Sequence, residues 1–241
     1  MNKELVGYSE ATAFIIIAIG AKAFLGYPRI ITDLGLTAGW LVVLLSGLLS
    51  ILFWLMIVGV LERFPGKPLT EITEITFGPV LGLGINLFIF FYSIFGTSNI
   101  LRLFSEATIL TVLTETPVVI LALIFILAAW LAVYYGLEAI FYSAYFSYSI
   151  LSIVVVVVLI VLYPYYDLKM LLPFMGSGVW PVVKSSFCCT SAFGEVMILA
   201  YLVPYFSFKT QKLKKAGVFS ISFVMTFFIA IIGVYLMVLP V

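Results

Sequence analysis

The sequence contains no histidine, the side chain that serves most often as general base, proton shuttle and metal ligand. Its two cysteines, Cys188 and Cys189, are adjacent. Adjacent cysteines rarely form a structural disulfide, and two thiols do not make a zinc site, so we interpret both as small, buried apolar side chains. The chain has no phosphate loop and no nucleophile–base pair. We therefore expect no catalytic residue, no metal and no cofactor.

Charged residues are also scarce, because they make up 10% of the chain, whereas 64% of its residues are hydrophobic. An average soluble domain is about 45–50% apolar and about 25% charged. So few charges cannot cover a water-facing surface, which excludes a soluble enzyme. The formal net charge of +1 gives no basic surface, so we expect no nucleic-acid partner. The composition predicts an all-α polytopic membrane protein that lies in a lipid bilayer.

Apolar stretches of about 20 residues, the length that a helix needs to cross the hydrocarbon core, recur along the chain. A valine run, Val154–Val158, would favour a strand in water, but in lipid a helix satisfies its own backbone and accepts these residues. We predict about seven spans, with these approximate bounds: Ala11–Ile31, Trp40–Leu61, Val80–Leu103, Pro117–Tyr135, Ala139–Tyr163, Val179–Phe206 and Gly217–Leu239.

Polar segments between the spans are short, so we expect a single transmembrane domain over residues 1–241 and no soluble domain. The longest polar linkers are Glu62–Phe77 and Tyr163–Gly178. The first apolar stretch has no small-residue cleavage pattern at the expected distance, so we interpret it as a retained span.

Two of the predicted spans carry interruptions. Span 1 contains Gly20, Gly26 and Pro28, and these residues weaken a helix near its middle or outer half. Span 6 has a similar weak point at Ser191–Glu195. In secondary transporters, broken helices at corresponding positions of two halves form the substrate site, and spans 1 and 6 are five apart, as a five-plus-five inverted repeat requires. The alternative is that Gly and Pro are simply common in membrane helices.

At these segments the chain resembles the spore germination permease family, the B subunits of nutrient germinant receptors, within the amino acid–polyamine–organocation transporter superfamily. The resemblance runs from span 1 to span 7. It is carried by Gly20–Arg29 (GAKAFLGYPR), Leu172–Gly178 (LPFMGSG) with Pro181 and Lys184, Phe193-Gly194-Glu195, and Leu202-Val203-Pro204. Family members usually open span 2 with Asp-Ala-Trp, whereas this chain has Ala38-Gly39-Trp40 and no acid there.

The resemblance implies a transporter-like fold of about ten helices, of which this chain supplies about seven. We therefore expect a truncated product or a fragment, with a first repeat at about residues 1–165 and the start of a second at about 166–241. The family implies binding of an amino acid or similar small nutrient, receptor A and C subunits as partners, and the cell membrane or spore inner membrane as location. The expected binding residues are Gly20, Ala21, Lys22, Gly26, Thr190, Ser191, Phe193, Gly194 and Glu195.

Lys22 and Glu195 differ from the other charges because both lie near the middle of a span. A charged side chain there costs about 2.5–3.5 kcal/mol on insertion scales, so it normally faces a cavity or a partner. Either the two side chains pair with each other or they face the ionic groups of a ligand. A structural ion pair without a binding role, or an uncharged Glu195, is the alternative.

Three functions are compatible with these residues. The first is a germinant-sensing receptor subunit, the second a proton-coupled amino acid permease, and the third an inactive truncated remnant that binds nothing. Uptake in proteoliposomes separates the first two, because they share the site and differ in turnover. A remnant would show no ligand-dependent change in stability.

The distribution of Lys and Arg predicts that the N-terminus is cytoplasmic, because Lys3, Arg63, Lys67 and the four lysines of residues 209–215 then lie inside. Single Lys212→Cys and Lys169→Cys changes, in a background lacking Cys188 and Cys189, should therefore be labelled from opposite sides of the membrane. Labelling of the Lys212→Cys protein in intact cells by an impermeant external reagent would refute this orientation.

Overall fold

A computed structural model describes residues 6–173 and 175–238 of the chain. Helices account for nearly all of this part. The α-helices are α1 (Tyr8–Gly20), α2 (Tyr27–Gly35), α3 (Gly39–Leu61), α4 (Leu69–Thr111), α5 (Val118–Tyr135), α6 (Leu137–Leu162), α7 (Val179–Cys189), α8 (Ile198–Tyr201) and α9 (Thr210–Val238). Short 3-10 helices lie at Ala21–Phe24, Leu36–Ala38, Tyr163–Tyr165, Leu168–Leu171, Thr190–Met197 and Val203–Tyr205. Lys3, Phe174 and Leu239, which the sequence arguments used, lie outside the described residues.

Six helical runs are long and apolar enough to cross a membrane, counted over the described residues: Tyr27–Leu61, Leu69–Thr111, Val118–Tyr135, Leu137–Tyr165, Val179–Tyr201 and Thr210–Val238. They confirm an all-α polytopic membrane protein. The predicted first span is not among the six, because α1 and α2 divide it into two short helices. The valine run lies within α6, as expected for a helix in lipid.

The predicted polar linker Glu62–Phe77 is partly helical. Within α4, Gly78 has a non-helical backbone (φ 82°, ψ 168°) and Pro79 follows it, so residues 69–77 and 79–111 form two helices. The short helix folds back on the long one, since the Asn86 amide donates to the Thr70 carbonyl at 3.0 Å and Thr73 Oγ1 lies 2.9 Å from Asn86 Oδ1. Hydropathy alone did not predict this hairpin, because residues 69–77 are too short and too polar to span.

The buried core is formed by the helices at the two ends of the chain. Helix α9 packs against α1, α2 and α3, and it buries Phe228 and Ile232 against them. Helices α4, α5 and α6 instead expose most of their apolar side chains, and Leu121 is the buried residue of α5. Apolar surface of this extent is stable against hydrocarbon or against other membrane helices, so these three helices form the outer side of the described bundle.

The first described residues pair with the segment that follows α8. Val6 N–H donates to the Tyr205 carbonyl at 2.9 Å, and Ser207 N–H donates to the Val6 carbonyl at 3.1 Å. The Tyr8 and Phe208 rings meet edge to face at 5.9 Å beside this pairing. The start of α1 is therefore joined to the end of the second interrupted span.

Close packing between α3 and α9 depends on Gly217. Trp54 of α3 is fully buried, and its indole Nε1 donates to the Lys214 carbonyl at 3.3 Å. A Cβ at Gly217 would overlap this indole ring. We expect Gly217→Ala to lower the free energy of unfolding by about 1–3 kcal/mol, the usual cost of overpacking. Thermal unfolding in detergent measures the change.

Gly233 of the same helix provides the matched control. No atom lies within 4 Å of the Cβ position there, so Gly233→Ala should leave stability unchanged or raise it slightly through better helix propensity. Equal melting temperatures for the Gly217→Ala and Gly233→Ala proteins would contradict the packing described here.

Candidate functional site

The first interruption lies between α1 and α2. Helix α1 ends at Gly20, and a 3-10 turn covers Ala21–Phe24. Gly26 then takes a left-handed backbone (φ 84°), which glycine adopts without the steric penalty that other residues meet. Pro28 lies in the first turn of α2, where its missing N–H leaves no helical bond unmade. The glycines and the proline therefore interrupt the helix as the sequence predicted.

The second interruption is a change of helix type. Helix α7 ends at Cys189, and residues Thr190–Met197 form a 3-10 helix before α8 begins. The sequence predicted a weak point at Ser191–Glu195, and at these residues the chain leaves α geometry but stays helical with a tighter turn. Runs of 3-10 helix longer than three or four residues are uncommon and often mark a hinge or a site.

An ion pair connects the two interruptions. Lys22 Nζ lies 2.6 Å from Glu195 Oε2 and also donates to the Ala192 carbonyl at 2.5 Å. The two side chains are only 17% and 21% exposed. Hydrogen bonds between ionised groups are about twice as strong as neutral ones, so this pair holds the two 3-10 segments together. The hypothesis that Lys22 and Glu195 pair with each other is confirmed.

The other expected binding residues differ in access. Gly26, Ser191 and Gly194 are exposed, Ala21 and Thr190 are half-buried, and Gly20 is buried. The polar side chains among them bond locally, since Thr190 Oγ1 donates to the Ser186 carbonyl and Ser191 Oγ to that of Cys188. No atom lies within 4 Å of a Cβ position at Gly194 or Gly20. Gly194 is therefore an accessible backbone position next to the ion pair.

Two details of the sequence interpretation change in the structure. Phe193 is fully buried and packs on Phe228 at a ring distance of 6.0 Å, so its side chain supports the segment from behind. Cys188 is exposed, whereas Cys189 is buried as expected. Adjacent residues of a helix point about 100° apart, so the two cysteines could not share one environment.

Phe228 of α9 is a contributor that the sequence did not indicate. Its ring packs on Tyr27 at 4.6 Å and on Phe193 at 6.0 Å, so it contacts one residue just after the first interruption and one within the second. Tyr27 is itself buried. The aromatic residues of α9 give no sequence signal for this role, because every span is rich in them.

A cavity of about 510 Å³ opens beside the first interruption, between the 3-10 turn, α4 and α6. Its wall is mostly apolar, with Ala21 and Phe24 on one side and Phe104 on another. Within residues 6–173 and 175–238, no three His, Cys, Asp or Glu side chains cluster closely enough to hold a metal ion. The site therefore combines one ion pair, accessible backbone and an apolar recess.

These features define an α-helical membrane protein in which an ion pair connects two interrupted helices. The chain belongs to the spore germination protein family, whose permease-type model matches residues 6–241. It is similar to spore germination protein B2 of Bacillus subtilis (strain 168), with 27% identity over 198 residues. That match covers 82% of this chain and 53% of the relative, so the chain spans about half of the relative's length. No solved structure gives a significant match.

Removing one partner of the Lys22–Glu195 pair should destabilise the protein. Loss of one partner leaves the other charge uncompensated, which costs about 3–5 kcal/mol in a buried pair. Because these side chains are 17% and 21% exposed, we expect the lower end of that range for Lys22→Met and for Glu195→Gln. The double variant should recover most of the loss. Thermal unfolding in detergent of the unaltered chain, the two single variants and the double variant gives the coupling energy between Lys22 and Glu195.

The exposed pair Lys67–Glu71 offers the same chemistry as a control, with an N–O distance of 2.7 Å and side chains 43% and 47% exposed. Lys67→Met and Glu71→Gln should each change stability by only about 0.3–0.5 kcal/mol. A coupling between Lys22 and Glu195 no larger than this control value would defeat the pairing argument.

Proposed function

We propose that this chain is a germinant receptor subunit of the B type, which binds an amino acid or similar small nutrient between the two interrupted helices and thereby triggers germination. Membership of the spore germination protein family supports a role in germination. The observation that supports an amino acid as the ligand is the Lys22–Glu195 pair, because it places one cation and one anion next to accessible backbone. An amino acid carries the same two charges.

Exchange of partners explains how such a ligand binds without leaving a charge unpaired. The ligand carboxylate takes the place of Glu195 on Lys22, and the ligand ammonium bonds Glu195. The Ala192 carbonyl, which accepts from Lys22 in the free protein, can also accept from that ammonium. One ion pair becomes two, so neither buried charge is left uncompensated during the exchange. A ligand with only one charge would leave either Lys22 or Glu195 without a partner.

Insertion of the ligand would separate the 3-10 segments that the pair now holds together. Lys22 lies between α1 and α2, and Glu195 lies between α7 and α8, so the exchange changes the spacing of four helices. A ligand shifts a conformational equilibrium only through its differential affinity for the two states. The Lys22–Glu195 pair provides this differential affinity, because the ligand can take the place of the pair only in the state in which the two 3-10 segments are separated.

The location and partners follow from the same proposal. The chain lies in the membrane of the cell or in the spore inner membrane, with its N-terminus on the cytoplasmic side. It assembles with receptor A and C subunits, because the loops between its described helices are too short to carry an output domain of their own. A proton-coupled amino acid permease is the second candidate, which interrupted helices also favour. Uptake of a labelled amino acid in proteoliposomes would select the permease.

Filling the space at Gly194 should reduce the nutrient response. At the Cβ position of Gly194 no atom from another part of the chain lies within 4 Å, so we expect Gly194→Val to fold and to occupy space that the ligand needs. We expect the germination dose–response curve of Gly194→Val to shift by about tenfold or more, as loss of one hydrogen bond to a charged group would produce. The measurement requires spores that carry the variant in the complete receptor.

Gly59→Val is the matched control, because Gly59 is also exposed in a helix with no atom within 4 Å of its Cβ position. Its curve should stay unchanged at equal protein abundance. Gly26→Val is less informative, since the left-handed backbone at Gly26 would be strained by any side chain. An unchanged curve for Gly194→Val at normal abundance would reject the site.

A further inference from the structure

Four lysines stand at the start of α9 without a charged partner. Lys209, Lys212, Lys214 and Lys215 are all exposed. None forms an ion pair with a described residue, whereas the described part of the chain contains four other pairs. Lysines beside a span are common on the cytoplasmic side, and that rule alone implies no bound molecule. A cavity next to Lys209 adds an independent observation.

The cavity encloses about 750 Å³ and has two kinds of wall. Val203, Pro204 and Phe208, which are half-buried, provide accessible apolar surface, and Lys209, Thr210 and Gln211 provide polar groups. Pro65 and Gly66, from the turn that follows α3, close the far side. This combination fits a molecule with an anionic head and an apolar tail, since a small inorganic anion would contact only the polar wall.

The length of α9 places this cavity at the surface of the bilayer. Residues 216–238 follow the last lysine, and at about 1.5 Å per residue they extend roughly 34 Å. The hydrocarbon core is about 30 Å thick, so these residues are sufficient to cross it. The first turns of α9, with their lysines, then lie among the lipid headgroups.

We propose that an anionic phospholipid of the surrounding bilayer binds in this cavity. Its phosphate lies against Lys209, Thr210 and Gln211, and part of an acyl chain covers Val203, Pro204 and Phe208. Lys212 lies in the first turn of α9, close to the cavity in sequence, and adds to the positive potential there. The bound lipid connects the turn after α3, the end of the second interrupted span and the start of α9.

The purified full chain, titrated with phosphatidylglycerol or phosphatidylcholine in detergent micelles, provides the test. Phosphatidylglycerol should raise the melting temperature at lower concentration than phosphatidylcholine, and native mass spectrometry should show it retained. Each lysine near a membrane surface contributes about fivefold in affinity for anionic lipid. Lys209→Gln/Lys212→Gln should therefore need more phosphatidylglycerol by more than that factor. Gln211→Glu, which places a carboxylate in the cavity wall, should weaken retention as well.

Matched controls distinguish a specific lipid-binding site from non-specific electrostatic attraction to anionic lipid. Lys169→Gln/Lys184→Gln removes the same charge from exposed positions that do not line the cavity, and it should bind as the unaltered chain does. Gln211→Glu keeps the fold, because an acidic residue favours the first turn of a helix. Equal effects of the two lysine pairs, equal protection by phosphatidylcholine, or equal protection by inorganic phosphate at matched ionic strength would each overturn the proposal.

Discussion

A charged side chain in the middle of a membrane helix needs a partner, and in this protein Lys22 and Glu195 meet that need for each other. The pair forms where both helices leave α geometry, so the interruptions and the charges occur together. Lys22 also bonds the Ala192 carbonyl, a backbone acceptor next to that change of helix type. Phe228 of α9 packs on Tyr27, at the start of α2, and on Phe193 of the second segment, so α9 contacts the chain close to both partners of the pair.

Much of the fold followed from hydropathy, because the thickness of the bilayer sets the length of a spanning helix. The interruption of the first span was predictable from Gly20, Gly26 and Pro28, since each acts on the backbone locally. The hairpin at Gly78 was not, because residues 69–77 show no apolar length and their packing depends on contacts with Asn86. The five-plus-five repeat stays a prediction.

The ion pair itself could be predicted, because a midspan charge has few stable alternatives. The packing around it could not, because Phe228 and Tyr27 are indistinguishable in sequence from the many other aromatic residues of the spans. Neither could the direction of Phe193, because its burial depends on the 3-10 register of Thr190–Met197. Expected ligand contacts at Gly194 remain a proposal that rests on the open space beside it.

The sequence separation of 173 residues between Lys22 and Glu195 has a consequence for biosynthesis. Chains are elongated at about 5–20 residues per second, so Lys22 leaves the ribosome on the order of 10–30 s before its partner does. During that interval its charge has no counterion from its own chain in span 6, and water or headgroups have to accommodate it. Final placement of α1 and its 3-10 turn therefore waits for the Thr190–Met197 segment, so insertion of this protein is completed late. Delayed insertion of that segment should leave the N-terminal helix exposed to quality-control proteases.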